Sequence, residues 1–188
     1  MDGRFVVSVR VYTVGHSTRP IGEFVDLLRA ERVTLVADVR RFPRSRRHPQ
    51  FNIETLPAAL ASSGIDYRHF EALGGRRKRT LTDDASPNTG WETEGFRSYA
   101  DYAMTAPFRE ALDVLIGLAQ SQLTAMMCAE ALWWQCHRRI ISDYLLVGGI
   151  DVVHMLGPDE TKPAVLTPGA EAQADGTIHY PPPQPRLL

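Results

Sequence analysis

Short apolar runs alternate with amphipathic stripes along most of the chain. Val6 to Val14 is a β-branched run that ends at Gly15-His16-Ser17, a first strand leaving into a loop. Ile21, Phe24, Val25 and Leu28 follow at the spacing of one helical face, with Thr18 placed to cap the helix. Val33 to Ala37 is continuously apolar, the mark of a strand covered on both faces, and it ends at Asp38-Val39-Arg40. An arginine-rich loop leads to a helix around Leu56–Ser62, stopped by Gly64. Ile65 to His69 alternates as a third strand.

Residues 70–94 break the pattern, with Gly74-Gly75, a basic run at 76–79, Pro87 and Gly90 but almost no periodicity. A loop of that length in a small domain is either a functional lid or disordered, and the glycine pair would hinge a lid over residues 76–92. Phe96, Tyr99, Ala100 and Ala103 mark a helix, and Pro107 to Ser121 another with proline in its first turn. Leu123 to Met127 is a fourth strand ending at Cys128-Ala129-Glu130. A helix is expected from about Gln135 to Val147, closed by Gly148-Gly149. Val152 to Met155 is a fifth strand.

Strands alternating with helices predict an α/β fold: one domain over residues 1–157, with a mostly parallel five-stranded sheet and helices on both faces in Rossmann-like or flavodoxin-like layers. Proline and glycine dominate after Gly157, so residues 158–188 read as an extended or mobile arm.

Composition narrows the classes of function. A net charge of −1 over 188 residues argues against a generally basic nucleic-acid binder. No apolar run is long enough to span a bilayer, so no membrane partner is expected. The apolar stretch in residues 1–12 is short and broken by Arg10, unlike a signal peptide. The cytoplasm is the expected compartment. Two cysteines, Cys128 and Cys136, make no disulfide framework and read as thiols with a packing, ligand or catalytic role. Nineteen of the 21 basic residues are arginine, a general bias that discounts any single one.

Candidate chemistry collects at the strand exits, where a parallel sheet binds its ligands. The first strand delivers His16 and Ser17, the second Asp38 and Arg40, the third His69 and Glu71, the fourth Cys128 and Glu130, and the fifth His154. Any of these can be a satisfied structural residue, His154 above all, but five polar exits together argue for a site. Cys136 is expected near a helix start, where free amides and the helix dipole favour a thiolate or a bound anion. Arg138 beside it could clamp a phosphate, with His137 between them, and Glu130 could act as acid or base. The opposing reading is a buried small thiol with an ion pair of Arg138 to Glu130 or Asp38.

The Cys-x7-Cys-His spacing also permits zinc, with His16 or His69 as further ligands, but the tight pairs of structural zinc sites are absent and no cofactor is required. A phosphatase loop is absent too, since Trp134 stands six residues after Cys128. Arg40, Arg41, Arg44, Arg46 and Arg47, with the basic run at 76–79, hold nine of the 21 basic residues. They leave neighbouring strands on one edge and suit a polyanion. Neither a dinucleotide fingerprint nor a Walker loop is present.

Six spaced motifs carry a resemblance. They are Tyr12-Thr13-Val14-Gly15-His16-Ser17; Asp38-Val39-Arg40 with Pro43, Ser45-Arg46 and Phe51; Gly64-Ile65 with Tyr67; Leu73-Gly74-Gly75; Met127-Cys128-Ala129-Glu130; and Cys136-His137-Arg138. Over residues 11–156 the chain resembles the bacterial and archaeal "domain of unknown function 488" family. A proline that often stands between the glutamate and the second cysteine is replaced here by Ala131 to Gln135.

Two functions are left open. One is an enzyme, hydrolase or transferase, with Cys128, Glu130, His16, Asp38 and His137 as catalytic candidates. Ser17, Arg40, Arg44, Arg46, Gly74, Gly75, Cys136 and Arg138 would hold a phosphate-bearing or nucleic-acid-derived substrate. The other is a non-catalytic nucleotide or nucleic-acid binding module.

Overall fold

The computed structural model describes residues 9–183, so Val6 to Ser8 of the first predicted strand, and the ends of the chain, lie outside it. Its α/β domain runs β1 (Arg10–Gly15), α1 (Ile21–Ala30), β2 (Leu35–Asp38), α2 (Leu56–Ala61), β3 (Asp66–His69), α3 (Glu94–Ala103), α4 (Ala106–Ala119), β4 (Thr124–Cys128), α5 (Arg138–Val147) and β5 (Asp151–Gly157). The first five strands are parallel, in the order β3-β2-β4-β1-β5. Every residue of β2 and β4 is buried, as runs covered by helices on both faces must be.

The order of the strands decides where a ligand can go. Phe24, Leu27 and Leu28 of α1 and Leu56 and Leu60 of α2 pack with Val14, Val36 and Met127 on one face. Tyr99, Phe108, Leu112, Leu115, Ile140 and Ile141 of α3, α4 and α5 pack with Val11, Met126 and Cys128 on the other. Chains leaving β1 and β2 therefore turn to one face, while the chain leaving β4, which lies between them, turns to the other. The divergence opens a crevice over the carboxyl end of β4, the switch point of an open α/β sheet.

Five expectations change. A sixth strand, β6 (Glu160–Pro163), adds antiparallel to β5 at the sheet edge. The segment after Gly157 is thus no free arm: β7 (Glu171–Ala172) pairs with β8 (Ile178–His179), and Ile178 and Tyr180 join the core. All four residues of β6 are exposed, so no apolar alternation announces it. Thr18 does not cap α1, whose N-cap is Pro20 without a side-chain bond. Helix α5 starts at Arg138, because Trp133–Gln135 forms a separate 3-10 turn.

Finally, part of the predicted lid is packed down against α3 and Tyr180. Ser86 Oγ and Asn88 Nδ2 donate to Asp101 Oδ1 at 2.6 and 2.8 Å, and the Gly90 amide donates to the Tyr180 carbonyl at 2.8 Å. Among the described residues, no helix is long and apolar enough to cross a membrane.

Candidate active site

A cleft of about 530 Å³ lies over the carboxyl ends of β1, β2 and β4. Of the residues singled out from the sequence, His16, Arg40, Arg44, Gly75, Cys128, Glu130, Cys136 and His137 line it. Ser17, Asp38, Arg46, Gly74 and Arg138 do not.

His16 follows directly on β1. Its ring is buried, stacks on Phe51 at 4.1 Å, and places Nδ1 2.9 Å from the Ser17 carbonyl. A carbonyl only accepts, so Nδ1 carries the hydrogen, and the bare Nε2 accepts from Arg40 Nη1 at 3.2 Å. Burial first, then the neighbouring Arg40 charge, lowers the ring's pKa to about 4. His16 is therefore neutral at neutral pH and is a holder of Arg40 as much as a lining residue.

Asp38 is wholly buried behind Arg40. Arg40 Nε donates to Oδ1 at 2.8 Å and Nη2 to Oδ2 at 2.6 Å, and Tyr67 donates to Oδ2 at 2.7 Å. Nη2 also donates to the Phe51 carbonyl at 2.7 Å. Four of the five guanidinium hydrogens are thereby held, one by Nε, two by Nη2 and one by Nη1. Asp38 therefore sets Arg40 in place and presents no acid or base to the cleft. Arg44 on the rim pairs with Glu54 in an exposed ion pair. Arg46 is exposed and does not line the cleft, and Ser17 holds the loop through its amide, which donates to the Ala129 carbonyl.

The floor of the cleft is the thiol pair. Cys128 ends β4, and Cys136 sits in extended backbone (φ −125°, ψ 147°) before His137, the N-cap of α5. His137 Nε2 lies 2.8 Å from the Val39 carbonyl, so it carries the hydrogen and turns Nδ1 toward both thiols. Nδ1 is 3.5 Å from Cys136 Sγ and 4.0 Å from Cys128 Sγ. Tyr99 buttresses the ring edge-on at 5.0 Å.

Below them lies Arg138, the largest fully buried side chain among the described residues. Its guanidinium donates through Nε to Cys136 Sγ at 3.4 Å, through Nη1 to Thr13 Oγ1 at 3.4 Å, and through Nη2 to the backbone carbonyl of Glu130. None of these partners is a carboxylate. The ion pair to Glu130 or Asp38 of the opposing reading is not formed: Glu130 offers its backbone oxygen, and Asp38 is taken by Arg40. A buried guanidinium needs compensating negative charge, and Cys136 is placed to carry it.

Burial pushes the Cys136 thiol up, but the Cys128 thiol, His137 and Arg138 outweigh it, and the pKa falls well below the ordinary value. Cys128 moves the other way, first through its hydrogen bond to Cys136 and then through burial. The pair shares one easily lost proton. Arg138, Cys128 and His137 do the work that the sequence reading gave to helix amides, since the helix begins after Cys136.

The remaining exits go elsewhere. His69 does not line the cleft; its Nε2–H donates to the Arg40 carbonyl at 2.7 Å, and with Glu71 it lines a second depression. His154 is stacked on Trp133 at 4.2 Å and hydrogen-bonded to Thr13 Oγ1 at 2.8 Å.

The cleft also recruits residues that sequence periodicity assigned to helices. Phe96 and Tyr99 of α3 line it from the far side. Arg41 and Arg76, from the two basic runs, complete a cationic rim around the exposed Glu130, and His48 lines the cleft beside them.

The family model described as "Domain of unknown function DUF488" matches residues 20–145. The chain belongs to this family. No curated protein and no solved structure matches the chain. The matched span of the DUF488 domain contains β2, β4 and the beginning of α5, and with them the cleft floor; His16 lies just before it. The DUF488 cleft thus brings together two thiols, three imidazoles, a carboxylate and four arginines, which suffice chemically for proton transfer, nucleophilic attack or metal binding.

Proposed function

We propose that this cleft is the active site of an enzyme, a hydrolase or transferase, acting on a phosphate-bearing or nucleic-acid-derived substrate. The observation that carries the reading is the convergence of Cys128, Cys136 and His137 with Glu130 inside a rim of arginines. Arg40 is fixed by Asp38, His16 and Phe51, so an anion meets a guanidinium that needs no reordering, the preorganisation that lowers barriers in polar sites. Arg41, Arg44 and Arg76 supply the outer charge. Glu130 is the cleft's exposed carboxylate and has the role of proton donor or acceptor. His137, aimed by the Val39 carbonyl, holds the reacting centre with the thiols.

The competing reading is a non-catalytic nucleotide or nucleic-acid module. Phe42 favours it, being 62% exposed with the Arg41 guanidinium 5.3 Å from its ring, an arrangement on which a base could stack. It gives no task to the thiols.

One set of measurements separates them. Equilibrium binding of ADP and of a short single-stranded oligonucleotide is compared between the wild type and Arg41→Ala/Arg76→Ala, with turnover on phosphate mono- and diesters compared between the wild type and Glu130→Gln. The expected result is binding weakened about tenfold or more by the arginine removals and turnover lowered about 10²- to 10⁴-fold by Glu130→Gln. Binding without turnover favours the module, and no binding at millimolar ligand overturns both readings.

A further inference from the structure

The two thiols and the imidazole meet at one point. Cys128 Sγ, Cys136 Sγ and His137 Nδ1 lie within 4.8 Å of one another, and among the described residues no other His, Cys, Asp or Glu joins them. We propose that this trio binds a zinc-class divalent metal in a tetrahedral site whose fourth position faces the cleft.

Distances decide first. Zinc bonds of about 2.3 Å to sulfur and about 2.0–2.1 Å to nitrogen, at tetrahedral angles, put a bound sulfur and nitrogen about 3.6 Å apart. The two S···N separations are 3.5 and 4.0 Å. Closing the longer one takes a shift of a few tenths of an ångström.

The surroundings have the form that metal sites use. A ligating histidine donates its other ring hydrogen to a carbonyl or carboxylate, which fixes the tautomer and the ring; His137 donates Nε2–H to the Val39 carbonyl at 2.8 Å. Arg138 Nε donates to Cys136 Sγ at 3.4 Å, the outer hydrogen bond that a ligating thiolate takes. Two thiolates, a divalent ion and the buried Arg138 leave one net positive charge at the floor of an anion-directed cleft. A thiol–imidazole pair without metal would use one cysteine; here both face the same nitrogen.

Neither His16 nor His69 is a fourth ligand. Both ring nitrogens of His16 are engaged by Ser17 and Arg40, and His69 Nε2 is engaged by the Arg40 carbonyl. The three ligands all line the cleft, so the fourth position belongs to water or substrate, the open arrangement of catalytic zinc. A metal so held would polarise a phosphoryl oxygen or a bound water. That role rests on the cleft being catalytic; the binding of the metal does not.

The test uses the full chain, stripped with chelator under reducing conditions and titrated with Co²⁺, then Zn²⁺. One cobalt per chain is expected, with a thiolate-to-cobalt charge-transfer band and the intense visible bands of a tetrahedral ion, displaced by one equivalent of Zn²⁺. Cys128→Ser and Cys136→Ser should each weaken binding about 100-fold or more, and Zn²⁺ should raise the melting temperature of the wild type but of neither variant. If a serine variant fails to fold, His137→Ala, which leaves both thiols, carries the same test. No charge-transfer band at tenfold excess cobalt, or a band unchanged in these variants, overturns the proposal. Nucleotide binding and turnover by a protein that shows no charge-transfer band with cobalt would remove the metal and leave the enzyme reading standing. Stoichiometric zinc with no anion binding would do the reverse.

Discussion

Gly75 lies so close over His137 that a methyl group on its Cα would stand 2.8 Å from the ring's Nδ1. The ring cannot swing away freely, because Nε2 is held by the Val39 carbonyl and one edge meets Tyr99. Gly75→Ala should therefore displace the one nitrogen that faces both thiols. Metal affinity at the cluster is expected to fall about 10- to 100-fold, the usual effect of disturbing what orients a ligand. The melting temperature should move by only a few degrees, since the added methyl meets only the His137 ring. Cobalt titration beside thermal melting checks this, and an unchanged affinity would show that another contact sets the ring.

Asp38 and Arg40 make a buried ion pair with both carboxylate oxygens used. Asp38→Asn leaves the guanidinium buried without its countercharge, and a loss of about 3–5 kcal/mol is expected by chemical denaturation. Tyr67→Phe removes one hydrogen bond to the same carboxylate and should cost about 1 kcal/mol. Equal losses for the two variants would contradict the account of Asp38 as the residue that holds Arg40.

The apolar runs of β1, β2 and β4 and their polar exits were legible because a strand buried on both faces leaves a continuous signature and a parallel sheet puts its ligands at one end. That logic brings His16, Arg40, Cys128 and Glu130 to one cleft without any knowledge of contacts. It does not tell which way a side chain turns. Asp38 and Arg138 stand at the right places along the chain and face inward, to Arg40 and to Cys136, through partners that no periodicity encodes. The start of α5 slipped by three residues because the Trp133–Gln135 turn has helical composition without helical continuation. The edge strand β6 was invisible because it has no buried side chain.

His16 and His154 both titrate near 4 in the folded protein, chiefly through burial, against about 6.5 when unfolded. Between those values the unfolded chain takes up protons that the folded chain refuses, so stability is full above about pH 6.5 and falls as pH drops toward 4. At pH 5 unfolding should take up on the order of one proton per histidine. The slope of melting temperature against pH between 4.5 and 6 measures this. His154→Gln should flatten that slope by one histidine's share; an unchanged slope would mean that His154 is not held neutral.

The segment after Gly157 supplies the last test, since the sequence reads it as a loose arm and the fold uses it as a clasp. Tyr180 is buried; its hydroxyl donates to Asp143 Oδ2 at 2.9 Å and its amide to Asn88 Oδ1 at 3.0 Å. Asn88 in turn donates to Asp101 at 2.8 Å, so Tyr180 ties α5, α3 and the 86–90 segment together. Burial of the aromatic ring stabilises by about 2–3 kcal/mol, and each hydrogen bond adds about 1 kcal/mol. Tyr180→Phe keeps the ring and leaves Asp143 with one partner fewer, so a loss of about 1–2 kcal/mol is expected. Tyr180→Ala should cost about 3–5 kcal/mol. It should also speed proteolysis within residues 82–92, because without its buried ring the segment no longer holds in place the backbone carbonyl and amide that anchor Gly90 and Asn88. Limited proteolysis with mass spectrometry, run beside denaturation, reads both effects. A Tyr180→Ala chain as stable and as resistant as the wild type would return the segment to the status of an arm.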